Sequence, residues 1–143
     1  MPHYRTTVSS TRSLDDAFGY MANFANAQFW DPGVARATNV GSGAVGLGSL
    51  FDVVATFRGR EVPLRYEITT YEASRRVTLT ARTTWLLSRD TITFAPRDGG
   101  TDVTYDAYLS LRGMARVANP VLGVALTRIG LAAREGLVRE LNR

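Results

Sequence analysis

The stretch Asn119–Asn142, NPVLGVALTRIGLAAREGLVRELN, decides the fold, because it is the only long helix that the sequence predicts. It opens with Asn119-Pro120, an N-cap residue followed by proline at the first helical position. Apolar residues then recur at the spacing of one helix face: Val121, Leu122, Ala125, Ile129, Ala132 or Ala133, and Leu137. This helix must bury its apolar face against another element.

That element is predicted to be a sheet, because most of the preceding chain alternates between apolar and polar residues. The predicted strands are Tyr4–Thr11 at an edge, Val34–Val40, Leu50–Phe57, Val62–Tyr71, Arg76–Thr84, Ser88–Phe94 and Thr101–Leu111. Ser13 is expected to cap a short helix, and Asn23 a second one over Phe24–Trp30. We therefore expect an α+β fold in a single domain, residues 1–143. A curved antiparallel sheet of six or seven strands wraps around the long C-terminal helix, with two short helices after strand 1.

The side-chain period of two assigns the faces of the sheet. The face predicted to be covered carries Phe51/Val53/Ala55/Phe57, Val62/Leu64/Tyr66/Ile68, Val77/Leu79/Ala81, Ser88/Asp90/Ile92/Phe94 and Val103/Tyr105/Ala107/Leu109. The other face carries mostly charged and hydroxyl residues. The helix offers many small residues to the covered face, which leaves either close contact or a hollow, and a tightly filled core is an equal alternative.

A hollow at this place would be a pocket for an apolar ligand. Its candidate lining residues are Trp30, Phe51, Val53, Phe57, Leu64, Tyr66, Ile68, Leu79, Trp85, Ile92, Tyr105, Leu122, Ala125 and Ile129. Trp30 and Trp85 are expected to flank the mouth, or else to cap the core.

Three inward-facing polar residues are the candidate catalytic groups. Asp90 lies among apolar neighbours, which would raise its pKa and suit it to acid–base chemistry, whereas the simpler alternative is a rim carboxylate paired with arginine. The hydroxyls of Tyr66 and Tyr105 could orient a carbonyl or an enolate, or be satisfied by the backbone. His3, the lone histidine, is interpreted as a surface residue, and the sequence predicts neither a metal site nor a cofactor.

The glycine-rich stretch Gly41–Gly46 matches a dinucleotide-binding pattern by letter. That pattern requires a helix to follow, and here a strand follows, so a hairpin or bulge loop is the preferred interpretation.

The amino-acid composition limits the classes of molecule that the protein is expected to bind. There is no cysteine, and all 17 basic residues are arginine, with a net charge of +4. The arginines are spread along the chain among acids, so nucleic acid is an unlikely partner, and a weak contact with a membrane surface stays open. The run Val117–Leu126 is too short to span a bilayer and no signal peptide is evident, so a cytoplasmic location is expected. The sequence does not decide between a monomer and a homodimer.

Five short strings are similar to one family. They are Phe29-Trp30-Asp31-Pro32-Gly33, Val45-Gly46-Leu47-Gly48-Ser49, Tyr66-Glu67-Ile68 with Tyr71-Glu72, Asp90-Thr91-Ile92-Thr93-Phe94 and Leu111-Arg112-Gly113. With the order of elements, they resemble the polyketide cyclase/dehydrase branch of the START and Bet v 1-like (SRPBCC, helix-grip) superfamily. The resemblance implies a deep apolar cavity between helix and sheet and a hydrophobic ligand such as a polyketide, a lipid or a sterol. It carries over no catalytic set, because fold does not fix function.

Three hypotheses follow. The first is a protein that binds a small hydrophobic, polyketide- or lipid-like molecule, with cyclisation or dehydration as its enzymatic version. The second is a non-catalytic carrier or sensor of such a molecule. The third is a module that interacts through its basic surface.

Overall fold

The computed structural model describes residues 3–57 and 59–143, and of Phe57 only the backbone. The elements in these residues are β1 (His3–Ser10), α1 (Leu14–Ala22), a 3₁₀ turn (Phe24–Asn26), α2 (Ala27–Trp30), β2 (Val34–Val40), β3 (Leu50–Phe57), β4 (Arg60–Glu72), β5 (Arg76–Arg82), β6 (Leu86–Arg97), β7 (Gly100–Leu111), a 3₁₀ helix (Gly113–Ala118) and α3 (Asn119–Leu141).

The described strands form one antiparallel sheet in the order β1-β7-β6-β5-β4-β3-β2. Consecutive strands are neighbours except that β1 pairs with β7, which makes β1 and β2 the two edges. The predicted fold class is confirmed. β6 is longer than the predicted Ser88–Phe94, because its pairing with β7 continues from Leu86↔Leu111 to Arg97↔Gly100.

Burial follows the predicted parity. On β6, for example, Ser88, Asp90, Ile92 and Phe94 are buried while Arg89 between them is exposed. The covered face of the sheet is the core of the protein, and the site lies on it.

The segment between β1 and β2 closes one end of this core. The Ser13 hydroxyl accepts a hydrogen bond from the Asp16 amide at 3.2 Å, the predicted N-cap of α1. Phe18 packs edge-on against Tyr71 and Phe94. The predicted capping role of Asn23 is wrong: its side chain makes no capping bond, and its oxygen is buried without a donor among the described residues.

The C-terminal half of α3 is in close contact with β1 and α2. The ring of Tyr4 lies against Gly130, and the backbone of Trp30 lies against Gly136. The Ser10 hydroxyl donates to the carbonyl of Leu141 at 2.6 Å. Glycines at the two crossing points let the helix approach more closely than a side chain would allow.

The N-terminal half of α3 is held differently. Asn119 is not the N-cap, since it already has helical dihedral angles and Ala118 occupies the N-cap position. Its side chain instead accepts from the amide of Leu111 at 2.9 Å, which ties the helix to the end of β7. The buried face of α3 also differs from the predicted one. Val121 is exposed, and Leu126 and Leu141 join the buried face, because residues four apart lie on one side of a helix.

Replacing Asn119 with alanine is expected to cost about 1–2 kcal/mol, because the half-buried amide of Leu111 then loses its acceptor. Urea unfolding measures the change. Thr127→Ala is the control on the same helix, since the exposed Thr127 hydroxyl only bonds back to the carbonyl of Gly123. Equal effects from the two variants would contradict the role of Asn119.

Candidate functional site

Asp90 is the central group of the candidate site. Its neighbours across the sheet are Leu79 on β5 and Ala107 on β7, and it is 6% exposed. None of the ion pairs among the described residues involves it. Burial, and then the nearby charge of Asp31, raises the pKa of Asp90 to about 7, although a hydrogen bond from the Tyr105 hydroxyl lowers it. Near neutral pH this carboxyl therefore exists in both protonation states.

Asp31 is a half-buried second carboxyl that lies close enough to Asp90 to interact with it electrostatically. It follows α2, and its Oδ1 accepts from the amide of Gly33 at 2.9 Å. Burial raises the pKa of Asp31 to about 6, with that amide acting in the opposite direction. The two carboxyls influence each other electrostatically, so ionising one makes ionising the other harder.

Two phenols complete the polar group. The hydroxyls of Tyr66 and Ser88 are 2.7 Å apart, a contact that spans β5 at the small residue Ala81. Burial, and then the charge of Asp90, holds the pKa of both Tyr66 and Tyr105 far above the ordinary value. Both phenols therefore stay protonated and can act as hydrogen-bond donors.

Aromatic rings surround these polar groups. Trp30 packs edge-on against Tyr105 with ring centroids 5.3 Å apart, and Phe24 contacts Tyr66 at 5.0 Å and Phe51 at 6.4 Å. The indole nitrogen of Trp30 is buried and has no acceptor among the described residues.

Within residues 3–57 and 59–143, no ion pair balances the charge of either Asp31 or Asp90. Every described arginine is exposed except Arg12, which is half-buried beside the C-terminus of α3, where it donates to the carbonyl of Glu140. The described interior therefore carries acidic groups and hydroxyls without a cation. Within the same residues, no His, Asp and Glu side chains cluster as metal ligands would.

An open groove of about 700 Å³ runs beside the N-terminal half of α3. It is lined by Thr56, Pro120, Val121, Val124, Ala125, Arg128 and Ile129. A Cβ placed on Gly33 would lie 4.0 Å from Ile129, so this end of the groove is close to the turn that carries Asp31. The groove thus lies between β3, α3 and the acidic end of the interior.

The family model described as polyketide cyclase / dehydrase and lipid transport matches residues 1–141. The chain belongs to this family. A comparison with curated proteins finds no significant match.

Solved structures share the fold of this polyketide cyclase/dehydrase chain. The Zhui aromatase/cyclase of Streptomyces sp. R1128 is 12% identical, with a TM-score of 0.77 over 97% of this chain and 92% of that one. A START superfamily protein of Mycobacterium smegmatis is 9% identical, with a TM-score of 0.79 over 97% and 96%. The di-domain aromatase/cyclase StfQ of steffimycin biosynthesis is 15% identical, with a TM-score of 0.64 over 97% of this chain and 51% of that one. At these identities the likeness shows the fold alone.

The structure of this family member brings most of the sequence-predicted residues together. Those that lie buried in the interior are Trp30, Phe51, Val53, Leu64, Tyr66, Ile68, Leu79, Asp90, Ile92 and Tyr105. On α3, Leu122 is buried, while Ala125 and Ile129 are half-buried in the groove wall.

Two of the residues discussed above, Trp85 and His3, lie away from this interior. Trp85 is 42% exposed on the turn before β6, where its carbonyl accepts from the amide of Arg112. The side chain of Phe57 lies outside the described residues. His3 is exposed on the edge strand β1 and is bonded to Asp106.

The sequence prediction missed the contributions of Asp31, Ser88 and Phe24. Ser88 had the correct parity but was given no role. Asp31 was named only within the string Phe29-Trp30-Asp31-Pro32-Gly33, and Phe24 only as the start of a short helix. A carboxylate directly after a tryptophan at a helix end was the one available signal for Asp31.

Within the described residues, no helix has the length and apolar content needed to cross a bilayer.

Proposed function

We propose that this protein binds a small hydrophobic, polyketide- or lipid-like molecule between the sheet and α3, and that Asp90 catalyses its cyclisation or dehydration. One observation carries the proposal: Asp90 is a buried carboxyl that forms no described ion pair and accepts a hydrogen bond from the protonated phenol of Tyr105, and its pKa is raised to about 7. Such a group is costly for folding, and costly groups of this kind concentrate at functional sites.

The pattern of burial supports the position of the ligand. Phe51, Ile68, Leu79 and Ile92 are completely sealed, whereas Tyr66, Asp90, Tyr105 and Leu122 keep 6 to 8% of their surface exposed. Leu122 lies on the N-terminal half of α3, the half beside which the groove runs. In this proposal the ligand enters through the groove and reaches the polar groups of the interior from it.

The charges of the interior favour a neutral ligand. An anionic head would meet Asp31 and Asp90 in a medium of low polarity, and none of the described arginines is buried where it could offset the repulsion. A ketone can instead accept a hydrogen bond from the Tyr66 hydroxyl, which stays protonated throughout the neutral range. The polar groups therefore suit a chain of ketones better than a free fatty acid.

In the proposed reaction Asp90 acts first as a base, which accepts a proton, and then as an acid, which donates one. The Asp90 carboxylate takes a proton from a carbon that lies between two carbonyl groups. Because the protonated carboxyl is a weaker acceptor, the Tyr105 hydroxyl can turn from Asp90 to the resulting enolate and hydrogen-bond it together with Tyr66. The enolate carbon then bonds to a second carbonyl carbon of the same chain, and the protonated Asp90 returns its proton to that carbonyl oxygen, which becomes a hydroxyl. Dehydration removes a further proton and the hydroxyl as water, so the carboxyl ends in its starting state.

Binding can be tested with two naphthalene probes that differ in their polar group. We expect 2-acetylnaphthalene to bind at least about tenfold more tightly than 2-naphthoate, because only the naphthoate brings a charge near Asp90. Isothermal titration calorimetry measures both affinities. If neither probe binds, and mass spectrometry of organic extracts of the purified protein finds no ligand, the proposal fails.

Amino-acid substitutions can distinguish an enzyme from a non-catalytic carrier. With a poly-ketone substrate, Asp90→Asn is expected to retain binding and lose at least about a hundredfold in turnover, and Tyr66→Phe to lose less. Asp98→Asn, which changes an exposed carboxyl on the β6–β7 turn, is the control. A wild-type protein that binds the substrate without converting it would be a carrier, and the catalytic part of the proposal would then be wrong.

A further inference from the structure

The surface around the start of α3 exposes an unusual number of apolar side chains. Met114, Val117, Val121 and Val124 follow one another at steps of three, four and three residues, across the 3₁₀ helix and the first turns of α3. They are 94%, 82%, 63% and 65% exposed. This apolar ridge (Met114, Val117, Val121, Val124) is a contiguous stripe of the kind that marks an interaction surface.

The charged side chains around the apolar ridge are all positive. Residues 107–134 contain no aspartate or glutamate, whereas Arg112, Arg116 and Arg128 are exposed beside the ridge. None of these three arginines takes part in an ion pair among the described residues. The surface therefore presents apolar side chains bordered by uncompensated positive charge.

An exposed tryptophan adjoins this surface. The amide of Arg112 donates to the carbonyl of Trp85 at 2.8 Å, which places the turn before β6 next to the beginning of the 3₁₀ helix. A half-exposed indole beside arginines and small apolar residues is typical of the boundary between lipid head groups and acyl chains.

We propose that the apolar ridge docks on the surface of an anionic lipid bilayer. The valines and Met114 insert among the acyl chains, and the three arginines contact the lipid phosphates. A second copy of the chain fits this surface less well, because a twofold contact through the ridge would bring arginines to face arginines. The apolar stripe of α3 continues to Leu131 and Val138, but Glu135 and Glu140 adjoin that part, so docking is confined to the acid-free half.

Docking at this place also has a consequence for the groove. Val121 and Val124 of the apolar ridge, and the neighbouring Arg128, also line the groove, so the groove of a docked protein would face the lipid. A hydrophobic ligand could then pass between bilayer and groove without crossing water.

Vesicle flotation tests the proposal with phosphatidylcholine vesicles that contain or lack phosphatidylglycerol. We expect binding only to the anionic vesicles, with an affinity that falls steeply as salt is added. Arg116→Gln should weaken the partition coefficient about fivefold, and Val117→Asp or Val121→Asp at least about tenfold. All three positions are exposed, so the folded structure should be preserved.

Val138→Asp is the matched control, since it makes the same change on the same helix beside the acidic residues. It should leave vesicle binding unchanged, and Val117→Asp should keep the solution affinity for 2-acetylnaphthalene, which separates this test from that of the ligand pocket. Equal binding to neutral and anionic vesicles, an equal loss in Val138→Asp, or self-association that Val117→Asp abolishes would each overturn the proposal.

Discussion

Replacing Asp90 with asparagine is expected to make the protein more stable near neutral pH and to have no such effect in acid. The pKa of Asp90 is about 7 in the folded protein, against an ordinary value of 3.8. Between those values the folded state holds a proton that the unfolded state has released, so stability falls as pH rises through this window. The loss is complete above about pH 7 and amounts to roughly 4 kcal/mol for a difference of this size.

Asparagine does not titrate, so the variant should lack this slope. Because the amide is itself a buried polar group, we expect a net gain of about 2–3 kcal/mol near pH 8 and almost none near pH 4. Urea unfolding at a series of pH values measures the difference.

Two further carboxyls refine the test. Asp31→Asn should remove a smaller part of the slope, in a window that ends near its pKa of about 6, and should also lower the pKa of Asp90 by removing a neighbouring charge. Asp98→Asn, on the exposed turn, should leave the curve unchanged. If wild type and Asp90→Asn had the same dependence of stability on pH, the pKa of Asp90 would not be raised in the folded protein.

The candidate site could be predicted in part because a sheet with one covered face fixes side-chain direction by parity. Asp90, Tyr66 and Tyr105 follow from that rule alone. Asp31 does not, because a carboxylate in a Trp-Asp-Pro-Gly turn normally faces water. Its enclosure depends on α2 being packed under the C-terminal half of α3, a long-range contact that local sequence does not encode.

The fold was predictable for the same reason. The sequence did not predict which parts of α3 are in close contact with the rest of the protein. The sequence offers small residues along the whole helix, which allowed either close contact or a hollow. The structure has close contact at Gly130 and Gly136, whereas no atom lies within 4 Å of a Cβ placed on Gly123. Which glycine meets a partner depends on the element opposite, and no periodicity within the helix reports that.

Gly136→Ala is expected to destabilise the protein by about 3 kcal/mol, near the upper end for overpacking. A Cβ at this position would lie 1.8 Å from the carbonyl oxygen of Trp30 and 2.7 Å from its carbonyl carbon. These are backbone atoms, so α3 or α2 must move away as a unit. Urea unfolding measures the loss, and the displaced Trp30-Asp31 turn should also lower the affinity for 2-acetylnaphthalene.

Gly123→Ala makes the same substitution in the same helix with the opposite expected sign. No atom lies within 4 Å of a Cβ placed there, so alanine should stabilise α3 by about 0.5–1 kcal/mol through its higher helix propensity. If both variants gained stability, α3 would not be in backbone contact with α2. The enclosure of Asp31, which depends on that contact, would then be lost, and with it one of the two acidic groups that favour a neutral ligand.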